Sequence, residues 1–98
     1  MTKKIENQTL HVEFEVVEEL TQGMLENFEQ KISEDRITWP GQKSLYSKFL
    51  RCAIAVGWVK SGPIMQDAQI IAADPRIVAM IGAFLVDEYN KASIVPNP

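Results

Sequence analysis

The stretch SLYSKFLRCAIAVG, residues 44–57, predicts a helix at the centre of the fold. Ser44 is suited to cap its first turn, and Gly57 is suited to end it. Apolar side chains cover about 200° of its helical wheel, and the narrow polar remainder includes Lys48 and Arg51. A helix with so broad an apolar surface has to be covered on more than one side. We therefore expect the other elements to pack around it.

Short-range signals outside this stretch also indicate helices. Thr21 is a suitable N-cap for an amphipathic segment. Asp74 followed by Pro75 combines a capping side chain with proline at the first helical position. Within the apolar segment that begins at Pro75, Gly82 stands at a position where a larger side chain is expected, and we interpret it as a point of close helix packing. Together these patterns predict three further helices, over residues 21–33, 63–72 and 75–91.

One segment has the periodicity of a strand. Residues 9–17 alternate between apolar and polar side chains, and most of the apolar ones are β-branched or aromatic. A lone strand is not stable, so it needs a partner. The sequence leaves four candidates: residues 3–6 joined through a turn at Asn7-Gln8, residues 36–39, residues 93–95, or a second subunit. We predict the α+β class, a mostly helical single domain with a short N-terminal strand or hairpin packed on three to four helices.

Length and composition limit the classes of function. The chain has 98 residues, of which 46% are hydrophobic and 23% charged, as expected for one globular domain. A membrane span needs about 20 apolar residues, and the longest near-continuous apolar run, residues 77–86, is much shorter. The N-terminus turns polar where a secretion signal would be apolar. We therefore expect a cytoplasmic protein without a membrane segment.

Side chains suited to catalysis are scarce, since the chain has one cysteine and one histidine. Cys52 lies among apolar neighbours with no adjacent base, so we expect a buried, inert thiol. His11, Glu13 and Glu15 share one face of the predicted strand, and we interpret them as a solvated face rather than a metal site. We predict no catalytic residue, no metal and no cofactor, and thus a binding protein rather than an enzyme.

Charge is unevenly distributed along the chain. Residues 1–36 carry a net charge of -5, whereas residues 37–98 carry +2, and no acid occurs between Arg36 and Gln66. Aromatic residues lie between the bases of this stretch, a composition that suits nucleic acids. We favour a solvated or salt-bridged face, because the chain as a whole is acidic. The residues that could contact an anion are Lys43, Lys48, Arg51 and Lys60.

Two broad apolar helices exceed what one small core requires. Full burial of a Leu, Ile or Phe side chain contributes roughly 1.5–3 kcal/mol, so apolar faces left in water favour association. We therefore expect a protein partner and a homo-oligomer. The candidate interface takes residues from both helices and the turn between them: Tyr46, Leu50, Ile54, Trp58, Ile77, Ile81, Phe84 and Glu88.

Three segments together resemble a known group of proteins. They are VVEELT at residues 16–21, FLRCAIAVGW at residues 49–58, and the helix that Asp74-Pro75 begins and that runs through Tyr89 to Ile94-Val95-Pro96. Over residues 14–98 the chain resembles small proteins of tailed bacteriophages and prophages, some of them tail assembly chaperone-like. This resemblance implies a role in binding protein, such as holding the hydrophobic tape-measure protein until the tail tube forms.

Two other hypotheses use different features. A phage inhibitor of a host defence system, of the anti-CRISPR type, is also small, acidic and without catalytic residues. Its contact surface would be the acidic side chains of the N-terminal part: Glu6, Glu13, Glu15, Glu18 and Glu19. A small nucleic-acid-binding module would instead use the four bases named above.

Overall fold

The structure, a computed structural model, describes residues 1–34 and 42–93, with side chains given for residues 1–34 and 45–92. It confirms the predicted α+β class, with an antiparallel sheet packed on helices in one domain. The described elements, in chain order, are β1 (Thr2–Asn7), β2 (Val12–Val17), α1 (Gln22–Glu34), α2 (Gln42–Ala55), β3 (Val59–Ser61), α3 (Asp67–Ala72) and α4 (Pro75–Ser93).

The sheet has the order β1-β2-β3, and β2 is its central strand. β1 and β2 form the hairpin that was one of the four predicted pairings, with Ile5 opposite Phe14. Of the other candidates, residues 36–39 and 94–95 lie outside the described residues, and Ser93 belongs to α4. The predicted start of the strand at residue 9 is wrong. The chain is still turning there, and β2 begins at Val12.

The hairpin turn is closed by the side chain of an asparagine and contains no glycine. Asn7 Oδ1 accepts a hydrogen bond from the backbone N–H of Leu10 at 3.0 Å, which closes the turn. His11 then adopts a left-handed φ of 53°, a conformation that histidine tolerates better than most residues. Leu10 is apolar and so extends the alternating pattern, although it belongs to the turn. This explains why the strand boundary was misplaced.

The end of α2 is a tight backbone reversal. The N–H of Gly57 donates to Ile54 O at 3.1 Å, and the N–H of Trp58 donates to Ala53 O at 2.9 Å. This is the hydrogen-bond pattern of a Schellman motif, which needs a left-handed residue, and Gly57 has a φ of 80°. The reversal places the Trp58 side chain in the core. The backbone carbonyl of Trp58 accepts a hydrogen bond from the N–H of Val17 at 3.0 Å. The predicted end of the helix at Gly57 thus lies two residues beyond Ala55, the last residue of α2.

The strand β3 was not predicted. It has three residues, too few to show an alternating pattern, and it follows directly from the Gly57 turn. β3 pairs with β2 at Val16–Val59, and the register shifts between this pair and Glu15–Ser61. The sheet thereby gains a third strand, which a stable free-standing sheet needs.

Local capping sets the starts of α1, α3 and α4, but the predicted cap of α2 is wrong, because α2 begins at Gln42 and Ser44 lies inside the helix. Thr21 Oγ1 accepts the N–H of Met24 at 3.3 Å, which confirms the predicted cap of α1. Asp74 Oδ1 accepts the N–H of Arg76 at 2.9 Å at the predicted start of α4. Helix α3 begins later than predicted because Gln69 Oε1 accepts the N–H groups of Met65 and Gln66, which caps the helix after residue 66.

The core lies between the inner face of the sheet and the helices. Val12, Phe14 and Val16 point inward from β2, while Glu13 lies exposed on the opposite face, as the alternation predicts. Helices α2 and α4 make the most extensive helix contact. At their crossing a Cβ built on Gly82 would lie 2.4 Å from Tyr46 Cβ and 2.8 Å from Tyr46 O. Gly82 is therefore required for the close approach of the two helices, as the sequence suggested.

We predict that Gly82→Ala lowers the free energy of unfolding by about 1–3 kcal/mol, because the new methyl group overlaps the Tyr46 backbone, which cannot rotate away. The matched control is Gly23→Ala in α1, where nothing lies within 4 Å of the added Cβ. Gly23→Ala should raise stability by up to about 1 kcal/mol through helix propensity. Urea denaturation of both variants measures the difference, and equal effects would show that the crossing is not tightly packed.

Candidate functional site

Three residues of the predicted interface are core residues. Leu50, Trp58 and Ile81 have relative exposures of 0%, 2% and 2%. The sheet and α1 cover more of α2 and α4 than the helical wheels alone suggested, so these side chains are not available to a partner. The other candidates are half-buried: Tyr46, Ile54, Ile77, Phe84 and Glu88.

Phe84 and Glu88 come together against the first strand. Lys3 Nζ lies 3.0 Å from Glu88 Oε1 and 5.9 Å from the ring centre of Phe84. The Phe84 ring packs edge-on against Phe14 at 5.6 Å between ring centres. Glu88 on the apolar face of α4 is therefore explained by an ion pair within the chain.

The candidate anion contacts occupy different environments. Lys48 is 5% exposed, so its side chain is not part of an open basic surface. Arg51 Nε lies 3.2 Å from Asp67 Oδ1, an acid just beyond the acid-free stretch. Lys60 is exposed on β3. The side chain of Lys43 lies outside the described part of the chain.

An apolar groove where α1, α2 and α4 meet is the candidate site. Phe28 is buried, and its ring centre lies 5.2 Å from that of Phe49 and 5.5 Å from that of Tyr89. Phe49 and Tyr89 are half-buried, and their rings are nearly perpendicular with 6.0 Å between the ring centres. The groove has a volume of about 310 Å³. We call it the aromatic groove; it is lined by Phe28, Glu29, Ile32, Ser33, Phe49 and Tyr89.

The aromatic groove was missed in the sequence. Phe28 and Ile32 share one face of α1, which the amphipathic pattern shows, but Phe49 and Tyr89 lie 40 positions apart. Their meeting depends on the α2–α4 crossing, which no local pattern specifies. The apolar surface of α2 includes Phe49, which the structure leaves half-buried at the rim of the core.

One polar contact lies at this otherwise apolar site. Burial raises the pKa of Tyr89, and the negative charge of Glu29 and a hydrogen bond from the Tyr89 hydroxyl to that carboxylate raise it further. The ionised phenolate is disfavoured beside a carboxylate and away from water. Tyr89 therefore stays a neutral donor near neutral pH, and Glu29 presents an acceptor at the edge of an apolar surface. This combination can bind an apolar side chain that has a cationic or donor group next to it.

Within residues 1–34 and 42–93, no three His, Cys, Asp or Glu side chains are arranged to hold a metal ion. Over the same residues, no helix has both the length and the hydrophobicity needed to cross a bilayer. Comparisons of the chain with protein-family models, with curated proteins and with solved structures found no match. The candidate site is therefore argued from its own geometry.

We predict that Tyr89 makes stability depend on alkaline pH. The pKa of Tyr89 is higher in the folded chain than in the unfolded chain. The contribution of Tyr89 to the free energy of unfolding is therefore complete at pH values below the ordinary pKa of about 10, and it is lost as the pH rises through the raised pKa. Tyr89→Phe should remove this part of the pH dependence. Glu29→Gln should shift the ionisation of Tyr89 back toward its ordinary value.

Ultraviolet titration of tyrosinate in the parent chain and both variants measures the shift. Subtracting the Tyr89→Phe curve isolates the ionisation of Tyr89 from that of Tyr46. An unchanged ionisation of Tyr89 in Glu29→Gln would show that the carboxylate does not contact the phenol.

Proposed function

We propose that this chain is a non-enzymatic phage or prophage protein that binds another protein, in the manner of a tail assembly chaperone. The observation that carries the proposal is the aromatic groove, an open apolar surface formed by three helices with a carboxylate at its edge. On the broad faces of α2 and α4, Leu50, Ile81 and Leu85 are buried in the core, so we place the contact where Phe49 and Tyr89 meet α1.

The size of the groove defines the segment it would accept. A volume of about 310 Å³ suits one or two apolar side chains rather than an extended surface. Each fully buried Leu or Phe contributes roughly 1.5–3 kcal/mol before the costs of association are subtracted. One groove therefore gives weak and reversible binding, which suits a chaperone that must release its partner.

The charge at the edge of the groove specifies the partner further. Glu29 is exposed and already accepts the Tyr89 hydroxyl, and its remaining acceptor capacity favours a Lys or Arg beside the apolar anchor. The matching ligand is an amphipathic segment with an apolar residue next to a basic one. The resemblance to chaperone-like phage proteins suggests the tape-measure protein as the source of such segments.

We predict that Ile32→Gln weakens the retention of a phage tape-measure protein by this chain. Ile32 lines the groove and is half-buried, so a polar side chain removes apolar contact without emptying the core. The control is the same substitution at Ile71, which is 77% exposed on α3 and does not line the groove. Loss of one apolar contact of about 1.4 kcal/mol corresponds to a tenfold weaker complex.

The measurement is co-expression followed by affinity purification, with thermal denaturation of both variants as the check on folding. The parent chain and Ile71→Gln should retain the tape-measure protein, and Ile32→Gln should retain far less. Failure of the parent chain to retain it would refute the chaperone role. Equal retention by both variants would place the contact outside the aromatic groove.

A further inference from the structure

The first strand has an open edge whose hydrogen-bonding groups can be assigned. The N–H of Glu18 donates to Met1 O at 3.1 Å, and hydrogen-bonded pairs alternate along an antiparallel ladder. Odd-numbered residues of β1 therefore bond to β2. Thr2, Lys4 and Glu6 direct their N–H and C=O groups the other way, where no other described strand pairs with them.

The charges along this edge are self-complementary. Lys4 and Glu6 both point to the outer face of the sheet, opposite Glu15 and Glu13 of β2. An antiparallel pairing of two β1 edges must place even-numbered residues opposite even-numbered residues. Centring the pair on Ile5 sets Lys4 of each copy opposite Glu6 of the other. The neighbouring registers set Lys4 opposite Lys4, or Glu6 opposite Glu6, and like charges in such positions are destabilising.

We propose that two copies of this chain associate through β1, in antiparallel register about Ile5, to form a continuous six-stranded sheet. The two-fold axis stands perpendicular to the sheet, so the helices of both copies lie on the same side of it. Ile5, half-buried on the inner face, meets Ile5 of the second copy in a pair without hydrogen bonds, where side chains approach most closely. This interface is separate from the aromatic groove, and neither proposal depends on the other.

An unfavourable pairing within the hairpin supports this register. Glu6 lies directly opposite Glu13, two like charges on the same face of adjacent strands. Lys4 Nζ reaches Glu13 diagonally at 3.5 Å and so offsets only one of the two carboxylates. In the proposed dimer each Glu6 has a lysine of the second copy directly opposite. The second copy thus supplies the counter-charge that the hairpin lacks.

The inner face is compatible with this association. Lys3 points inward and pairs with Glu88, so it does not project from the open edge as a free charge. Lysine is one of the residues that protect edge strands from pairing, and Lys3 is withdrawn from this role by its ion pair with Glu88 on the inner face. Lys4, which contacts Glu13 on the outer face, is the lysine that the proposed register places opposite Glu6.

The test is the charge reversal Glu6→Lys, followed by sedimentation velocity from about 10 μM to about 1 mM, the range of weak complexes. Within one chain the new lysine faces Glu13, so folding is not weakened. Between copies it faces Lys4, and two attractive pairs become repulsive. We expect a reversible dimer in the parent chain and a dissociation constant raised about tenfold or more in the variant.

Two further variants identify the interface. Glu26→Lys makes the same change in net charge on an exposed position of α1 and should leave the dimer unchanged. The double variant K4E/E6K restores opposite charges across the two-fold axis and should recover the dimer. Hydrogen exchange adds a backbone readout: the amides of Lys4 and Glu6 should gain protection with rising concentration, while those of Lys3 and Ile5 are protected at every concentration.

Three results would overturn the proposal. A parent chain that stays monomeric at about 1 mM has no such interface. A dimer that Glu6→Lys does not weaken associates through another surface. Protection of the amides of Lys4 and Glu6 that does not change with concentration would show that the open edge is covered within one chain.

Discussion

The backbone reversal at Gly57 is the constraint on which the rest of the structure depends. It ends α2, directs Trp58 into the core and starts β3 beside β2. Without it the sheet would be a two-stranded hairpin, which is marginally stable in water. The Trp58 ring also packs edge-on against Phe28 at 5.2 Å between ring centres, so the same turn positions α1. A left-handed φ of 80° costs a residue with a Cβ about 1–2 kcal/mol, and glycine avoids that cost.

The close crossing of α2 and α4 is the second constraint, and the aromatic groove follows from it. Gly82 allows the α4 backbone to contact Tyr46 of α2. Phe49 follows Tyr46 by three residues on α2, and Tyr89 follows Gly82 by two turns on α4. The crossing therefore fixes the distance between Phe49 and Tyr89, and Phe28 fills the space beneath them. The site is thus a consequence of helix packing.

Local signals in the sequence predicted where helices occur, because a cap or a left-handed glycine acts within a few residues, but they misplaced the starts of α2 and α3. Thr21 and Asp74 occupy the capping positions that their types suggested. Properties that depend on tertiary contacts could not be predicted in this way. The burial of Leu50 and Ile81 reflects coverage by elements distant in sequence, and β3 is too short to show a period. The aromatic groove combines side chains from three helices, so no single pattern contains it.

The two proposed contacts differ in the force that stabilises them. The sequence suggested association through surplus apolar surface, but Leu50, Trp58 and Ile81 of the predicted interface are buried in the core. The aromatic groove offers a small apolar surface, whereas the edge of β1 offers backbone groups and opposite charges. Pairing of exposed charges is screened by salt, while burial of apolar surface is not weakened by it. Added salt should therefore weaken the pairing of Lys4 with Glu6 between copies, whereas in the groove it should weaken only the contact of Glu29 and leave the apolar contact intact.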